Sequence, residues 1–185
     1  MLRLYKKIPF RTEALIIMII LGIDTALRCT GYGVLRAEQD SFEAIDCGVI
    51  KNNKALSHTQ CLLRLSSGIK ELVKTFKVDA AAIEGAFFGK NVKTTMILGY
   101  ARGAVMTALA ECGTPIYAYS PKEVKVSAGG IGTASKYQVA AILSSLLNMD
   151  VNKLGYDATD ALGLAMCHAN RVLRSDSEYT LPKPI

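Results

Sequence analysis

The stretch IIMIILGID, residues 16–24, decides how the rest of the chain is read. It is a nearly unbroken isoleucine-rich run that closes on a carboxylate, Asp24. Such a run reads as a strand buried on both faces, because β-branched side chains suit a pleated, packed surface. The wider apolar run, Ala14 to Ile23, follows a basic start and loosely imitates a secretion signal. It is too short to cross a bilayer as a helix, it ends in an acid, and it lacks a small-residue cleavage site. A core strand is therefore expected. Residues 1–17 read as a leader outside the core, since Met18 can itself open a compact domain.

Working outward, TGYGVLRAE (30–38) and SFEAIDCGVIK (41–51) predict two more strands, joined through the polar EQDS as a meander. Leu62, Leu65, Ile69, Leu72, Val73 and Phe76 recur at helical spacing. VDAAAIEGAFF (78–88) predicts a fourth strand and carries a second acid, Glu84. Asn91 can cap a helix over 92–112, which Gly113 and Pro115 stop. PIYAYSP (115–121) predicts a short fifth strand. Helices follow at ASKYQVAAILSSLLNM (134–149), with Thr133 or Ser135 near its start, and at DATDALGLAMCHANRVL (157–173). Residues 175–185 contain two prolines and read as a loose tail, leaving 18–174 as one domain. The expected class is α/β, with a mixed five-stranded sheet flanked by helices. Its order is similar to the layout of ribonuclease H-like folds, an analogy that says little about function by itself.

The composition suits that reading. Of 185 residues, half are apolar and 21% charged, as in globular domains. The net charge of +6 weakly favours an anionic partner such as nucleic acid. Five cysteines without C-x-x-C spacing read as reduced, buried thiols of a cytoplasmic protein, with neither a disulfide framework nor a zinc site.

Asp24 and Glu84 end strands, while Asp157 and Asp160 lie three apart at the start of the last helix and share a face. Each has an ordinary explanation. Asp24 can close a turn and Glu84 can be a solvated strand end. Asp157 can be an N-cap and Asp160 a first-turn acid favoured by the helix dipole. Together, however, they can converge at one edge of the sheet. Carboxylates ~4 Å apart repel by about 4 kcal/mol at an effective dielectric of roughly 20, so a cluster asks for cations. Hard oxygen ligands suit Mg2+ or Mn2+. Two such ions about 3.5–4 Å apart suit phosphodiester cleavage. Neither histidine competes: His58 lies at a loop or early helix, and His168, about two turns after Asp160, reads as structural or else helps to position something near the site.

With these residues in place, LGIDTALRCTGYGVL (21–35), AIEGAFFGKN (82–91), LGYARGAV (98–105), VKVSAGGIGTASKYQV (124–139) and DATDALGLAMCH (157–168) stand in a familiar order. From about Ile19 to Arg174 the chain resembles the RuvC-type Holliday junction resolvases. The resemblance implies a ribonuclease H-like fold, a homodimer, and symmetric two-metal, Mg2+-dependent nicking of four-way DNA junctions in recombination and repair. It also implies a RuvAB branch-migration partner. Residue by residue, the family's catalytic acids match Asp24, Glu84, Asp157 and Asp160. Lys125 and Lys136 match lysines near the scissile phosphate, and Phe87 matches an aromatic that wedges into the junction. Thr25-Ala26 replaces the usual Pro-Gly after the first acid, and Gly85 replaces a common glutamine, but no acid is lost.

The basic residues agree when read on their own. Lys90 and Lys93 flank the cap at Asn91 and can reach phosphates. GGIGTASK (129–136) leads backbone amides into a helix N-terminus, an anion cradle, or else is a flexible loop. Lys122, Lys125 and Lys136 gather around it, or form a solvated face. Arg28 and Arg102 are weaker candidates. Alternation points Phe87 outward and Phe88 into the core. Gly99, Ala101, Gly103 and Ala104 suit close packing of helix 92–112 on a second copy. Rival readings are a ribonuclease H-like nuclease for other branched or hybrid substrates, a non-catalytic member of the fold, and an actin-like ATP-binding protein. The last needs a duplicated domain that 185 residues hardly supply.

Overall fold

Alternation along the first strand, β1 (Met18–Asp24), sets the layers of the molecule. Its Leu21 and Ile23 side chains enter one core, while Ile20 enters another on the opposite face. The computed structural model describes residues 17–39, 41–85, 91–129, 132–173 and 183–185. The further elements are β2 (Cys29–Glu38), β3 (Ser41–Lys51), α1 (His58–Phe76), β4 (Ala80–Glu84), α2 (Val92–Glu111) and β5 (Ile116–Tyr119). They are followed by α3 (Pro121–Gly129), α4 (Lys136–Leu146), a 3-10 turn at Val151–Lys153, and α5 (Tyr156–Leu173). The sheet runs β3-β2-β1-β4-β5. β1, β2 and β3 form an antiparallel meander, whereas β4 and β5 continue the sheet parallel to β1. The mixed five-stranded sheet expected from the sequence is thus the one observed.

Helices α1 and α2 cover one face, with Leu65, Ile69, Val105 and Leu109 packed on Leu21, Ile23, Ala81 and Ile83. Helices α4 and α5 cover the other, with Leu143, Leu162 and Met166 on Ile20, Leu35 and Ala82. Fully burying each such large side chain stabilises the fold by about 1.5–3 kcal/mol. Helix α1 begins in a capping box between Ser57 and Gln60, and Asn91 Oδ1 accepts from Thr94 N to cap α2. Past α2, Gly113 takes a positive φ of 71° and turns the chain toward β5.

Helix α5 lies against the backbone of β1 and β2 because glycines make room for it. A Cβ on Gly22 would collide with the Ala161 carbonyl oxygen, and one on Gly31 with the Asp157 carbonyl oxygen.

Three expectations need correction. The sequence reading passed from β5 to the helix at 134 without an element between them, but α3 stands there. Its start is a capping box: Glu123 N donates to Ser120 Oγ at 3.3 Å, and Ser120 N donates to Glu123 Oε2 at 2.8 Å. Pro121 occupies the first helical position, where its missing N–H costs nothing. Asp157 is not an N-cap: α5 begins at Tyr156, and the Gly155 carbonyl accepts the Thr159 N–H. Nor are the thiols uniformly buried. Cys61 and Cys167 are, whereas Cys29 and Cys47 are half-buried and Cys112, at the end of α2, is exposed.

Ile185 N donates to the Ile116 carbonyl at 3.0 Å, so the last residue lies beside β5. Among the described residues no helix is long and apolar enough to cross a membrane.

Candidate active site

The register of the parallel pair puts two acids side by side. Ile23 is aligned with Ile83, so the next residues, Asp24 and Glu84, end β1 and β4 together. Ile23 and Ile83 both face α1 and α2, and strand alternation turns Asp24 and Glu84 toward α5. The chain order of the sheet reverses between β1 and β4. The crevice beyond the carboxyl ends of strands at such a point is where open α/β sheets bind ligands. Helix α5 then brings Asp157 and Asp160 in its first turn and a half.

Asp24, Glu84, Asp160, Lys125 and Lys136 line one cleft of about 150 Å³. Val124, Val139 and Leu164 supply its apolar wall. Asp157 stands beside it, close enough to act electrostatically on Asp24 and Lys136. The acids disturb one another. Burial, and then the charges of Asp160, Glu84 and Asp157, push Asp24 up to about 6 from 3.8, with Lys136 opposing. Glu84 is raised by burial and by Asp160, against the pull of Lys136 and Arg102.

Lysine side chains temper this charge. Lys136 Nζ donates to Asp160 Oδ2 at 2.6 Å and its pKa is raised by that bond. Lys125 reaches the cleft from α3, the helix that the sequence reading passed over. Arg102, a weaker candidate from sequence, donates from α2 to the Glu84 carbonyl and so ties the end of β4 to the helix behind it. Arg28 instead donates to the carbonyls of Asn53 and Leu56 at 2.9 and 3.1 Å, which clamps a loop. Lys93 and Lys122 lie on the exposed surface outside the cleft. Phe87, Phe88 and Lys90 fall outside the described residues. The amides expected to cradle a phosphate before α4 are partly engaged already: Ser135 Oγ accepts from Gln138 N and Gln138 Oε1 accepts from Ser135 N.

Sequence reasoning missed Cys29. Its thiol faces the Asp157 carboxylate, and the pull of that acceptor, followed by burial and the charge of Asp157, pushes the thiol up to about 11. No local signal pairs residues so far apart in the chain. The turn after Asp24 is pinned by Thr30, whose hydroxyl donates to the Ala26 carbonyl and accepts the Ala26 N–H. A side chain at Gly85 would meet only ordinary contact, Tyr119 O at 3.5 Å, so packing does not require glycine there. His168 is structural: it is buried, Tyr119 Oη lies 2.6 Å from its Nδ1, and burial lowers its pKa to about 4.

The donor set is all carboxylate oxygen, the chemistry that suits a hard divalent cation. Among the described residues no three metal-ligating side chains are already gathered around one point. Lys136 holds Asp160 by a direct ion pair through Oδ2, so the ammonium already neutralises part of the charge that a cation at Asp24 and Glu84 would face. The mutual repulsion that raises Asp24 is what such a cation relieves.

Acids delivered by two strands and a helix to the switch point of a mixed sheet define a nuclease of the ribonuclease H-like class. The family profile described as "Crossover junction endodeoxyribonuclease RuvC" matches residues 20–168, and the chain belongs to that family. It is 41% identical over 151 residues to the crossover junction endodeoxyribonuclease RuvC of Chlorobium phaeovibrioides, covering 81% of this chain and 80% of the relative. The Chlorobaculum parvum protein of the same name is 38% identical over 154 residues, covering 83% of this chain and 82% of its own. Among solved structures, T. thermophilus RuvC in complex with Holliday junction substrate superposes with a TM-score of 0.83 at 28% identity. That match spans 91% of this chain and 99% of the other. The yeast mitochondrial Holliday junction resolvase Ydc2, at 14% identity and a TM-score of 0.60, shares the fold.

Proposed function

We propose that this chain is a structure-selective endodeoxyribonuclease that resolves four-way DNA junctions by phosphodiester hydrolysis in recombination and repair. The observation that carries the reading is the aligned pair Asp24–Glu84 facing the acids of α5, with Asp24 raised to about 6 by burial and then by the charge of those acids. Asp24, Glu84, Asp157 and Asp160 would hold two Mg2+ ions, or Mn2+ in their place, which supply an activated water and neutralise charge on the phosphate. Lys136, beside Asp160, and Lys125 would offset charge on a scissile phosphate held in the cleft they line. The apolar wall of Val124, Val139 and Leu164 limits bulk water, which strengthens each of these interactions.

Phosphate contacts set position on DNA. Exposed Lys93 and Lys122 are suited to them, together with Lys90, and Phe87 is assigned to the unstacked centre of the junction. A homodimer would pair two clefts for symmetric nicking. Its proposed face is α2, where Val92, Met96 and Tyr100 are exposed and Gly99 and Gly103 have open space above them. The setting is the cytoplasm, with a RuvAB branch-migration complex as partner. Residues 1–17 and 175–185 are assigned no part in the catalysis.

Cleavage of a synthetic mobile junction with Mg2+ tests the reading. Glu84→Gln should lower turnover at least about 100-fold, the upper range for weakened metal sites, while junction binding persists. Turnover retained in that variant removes the mechanism. Equal cutting of a linear duplex removes the junction selectivity.

A further inference from the structure

We infer that a second groove beside the catalytic cleft is a subsite for one unstacked nucleotide of the cleaved strand, with Tyr137 and Tyr156 as its stacking surfaces. The inference rests on the junction-nuclease reading above and adds a binding determinant to it.

The groove has a volume of about 330 Å³ and lies where the N-termini of α4 and α5 meet. It is continuous with the cleft, since Lys136 and Asp160 line both, and their ion pair forms the boundary. A strand bound at the acids therefore has a direct way into the groove, past Lys136. The floor is apolar, formed by Ala140, Val151 and Leu154. The Thr159 hydroxyl in the floor is spoken for by the Val151 and Gly155 carbonyls, each at 3.3 Å. At the lips stand Tyr137 and Tyr156, exposed at 75% and 68%.

These properties select an occupant. Aromatic rings normally bury much of their large surface, so two tyrosines held open at the lips of one groove offer flat area to a flat partner. An apolar floor with its only hydroxyl engaged favours the face of a base over a phosphate, whereas Lys136 at the shared edge favours a phosphate. A nucleotide adjoining the phosphate held at the acids presents that combination. A stacking platform of this kind tolerates any base, because every base has a π-face. The subsite would thus strengthen capture of a splayed nucleotide without choosing the sequence cut.

The test measures kcat/KM on mobile four-way junctions, intact or carrying an abasic site at each nucleotide in turn on either side of the scissile phosphate. Parent, Tyr137→Ala, Tyr156→Ala and the corresponding Tyr→Phe variants are compared, with melting curves to confirm folding. At least one alanine variant should lose about 5- to 150-fold, the range for one stacked base, chiefly through KM, and its phenylalanine counterpart should keep activity. One abasic position should cost the parent a similar factor and cost that alanine variant little more, because base and ring act as a pair. If both alanine variants cut the intact junction like the parent, or if the abasic and alanine losses multiply at every position, the subsite does not exist, while the nuclease reading stands. If the parent fails to cut the intact junction, the nuclease reading itself falls.

Discussion

Asp24 shows at the level of one residue how a buried cluster of acids strains the fold. Burial first, then its three neighbouring acids, lift it to about 6 from 3.8. An acid raised on folding makes the native state hold more protons than the unfolded chain between those values. Stability without metal therefore falls as pH rises through that window. His168 acts oppositely: burial lowers it from 6.5 to about 4, so the unfolded chain holds more protons there and stability rises with pH. A variant separates the two. Metal-free Asp24→Asn should melt above the parent at pH 7, by about 2–4 °C for each kcal/mol relieved. The gain should shrink toward pH 4, where parent Asp24 is itself neutral; a gain independent of pH in calorimetry would disprove this account.

Helix α5 is the element on which the site depends, because it supplies two of the acids and packs directly on β1 and β2. Gly22→Ala would drive a methyl into the Ala161 carbonyl, and backbone cannot yield as a side-chain end can. The expected loss is about 3 kcal/mol, the upper range for overpacking, read by denaturant unfolding. Junction cleavage should fall with it, since a displaced α5 takes Asp157 and Asp160 away from Glu84. Helix α3 carries a different lesson. Its cap signature, Ser120-Pro121-Lys122-Glu123, is written in the sequence, but nine residues give too little apolar periodicity to reveal a helix. Arg171 of α5 donates to Glu123 at 2.8 Å, so packing completes what local pattern leaves weak.

Across the whole molecule, the net charge of +6 makes salt the natural probe of DNA binding. Junction affinity should fall steeply with ionic strength. Lys93→Ala and Lys122→Ala should each lower the slope of log K against log salt by about 1 if each lysine meets a phosphate. Titration by fluorescence anisotropy reads this directly, and unchanged slopes would place the DNA elsewhere.

Much of this protein was legible locally. β1 declared itself by an unbroken β-branched run, α1 by apolar periodicity, α2 by its Asn91 cap and the Gly113 and Pro115 that follow it, and the four acids by their places at element ends. The motif resemblance put the same acids into one family. What the chain's one-dimensional pattern left open was which distant groups meet. The alignment of Ile23 with Ile83 joins residues 60 positions apart across a meander and a helix. The Lys136–Asp160 ion pair, the approach of Cys29 to Asp157 and the groove between Tyr137 and Tyr156 arise only when α4 and α5 settle on the sheet. Short-range periodicity and capping select the elements, because their free energies depend on neighbours within a few residues. Register, burial and charge coupling depend on contacts that exist only after the layers close, so the tertiary structure alone decides them.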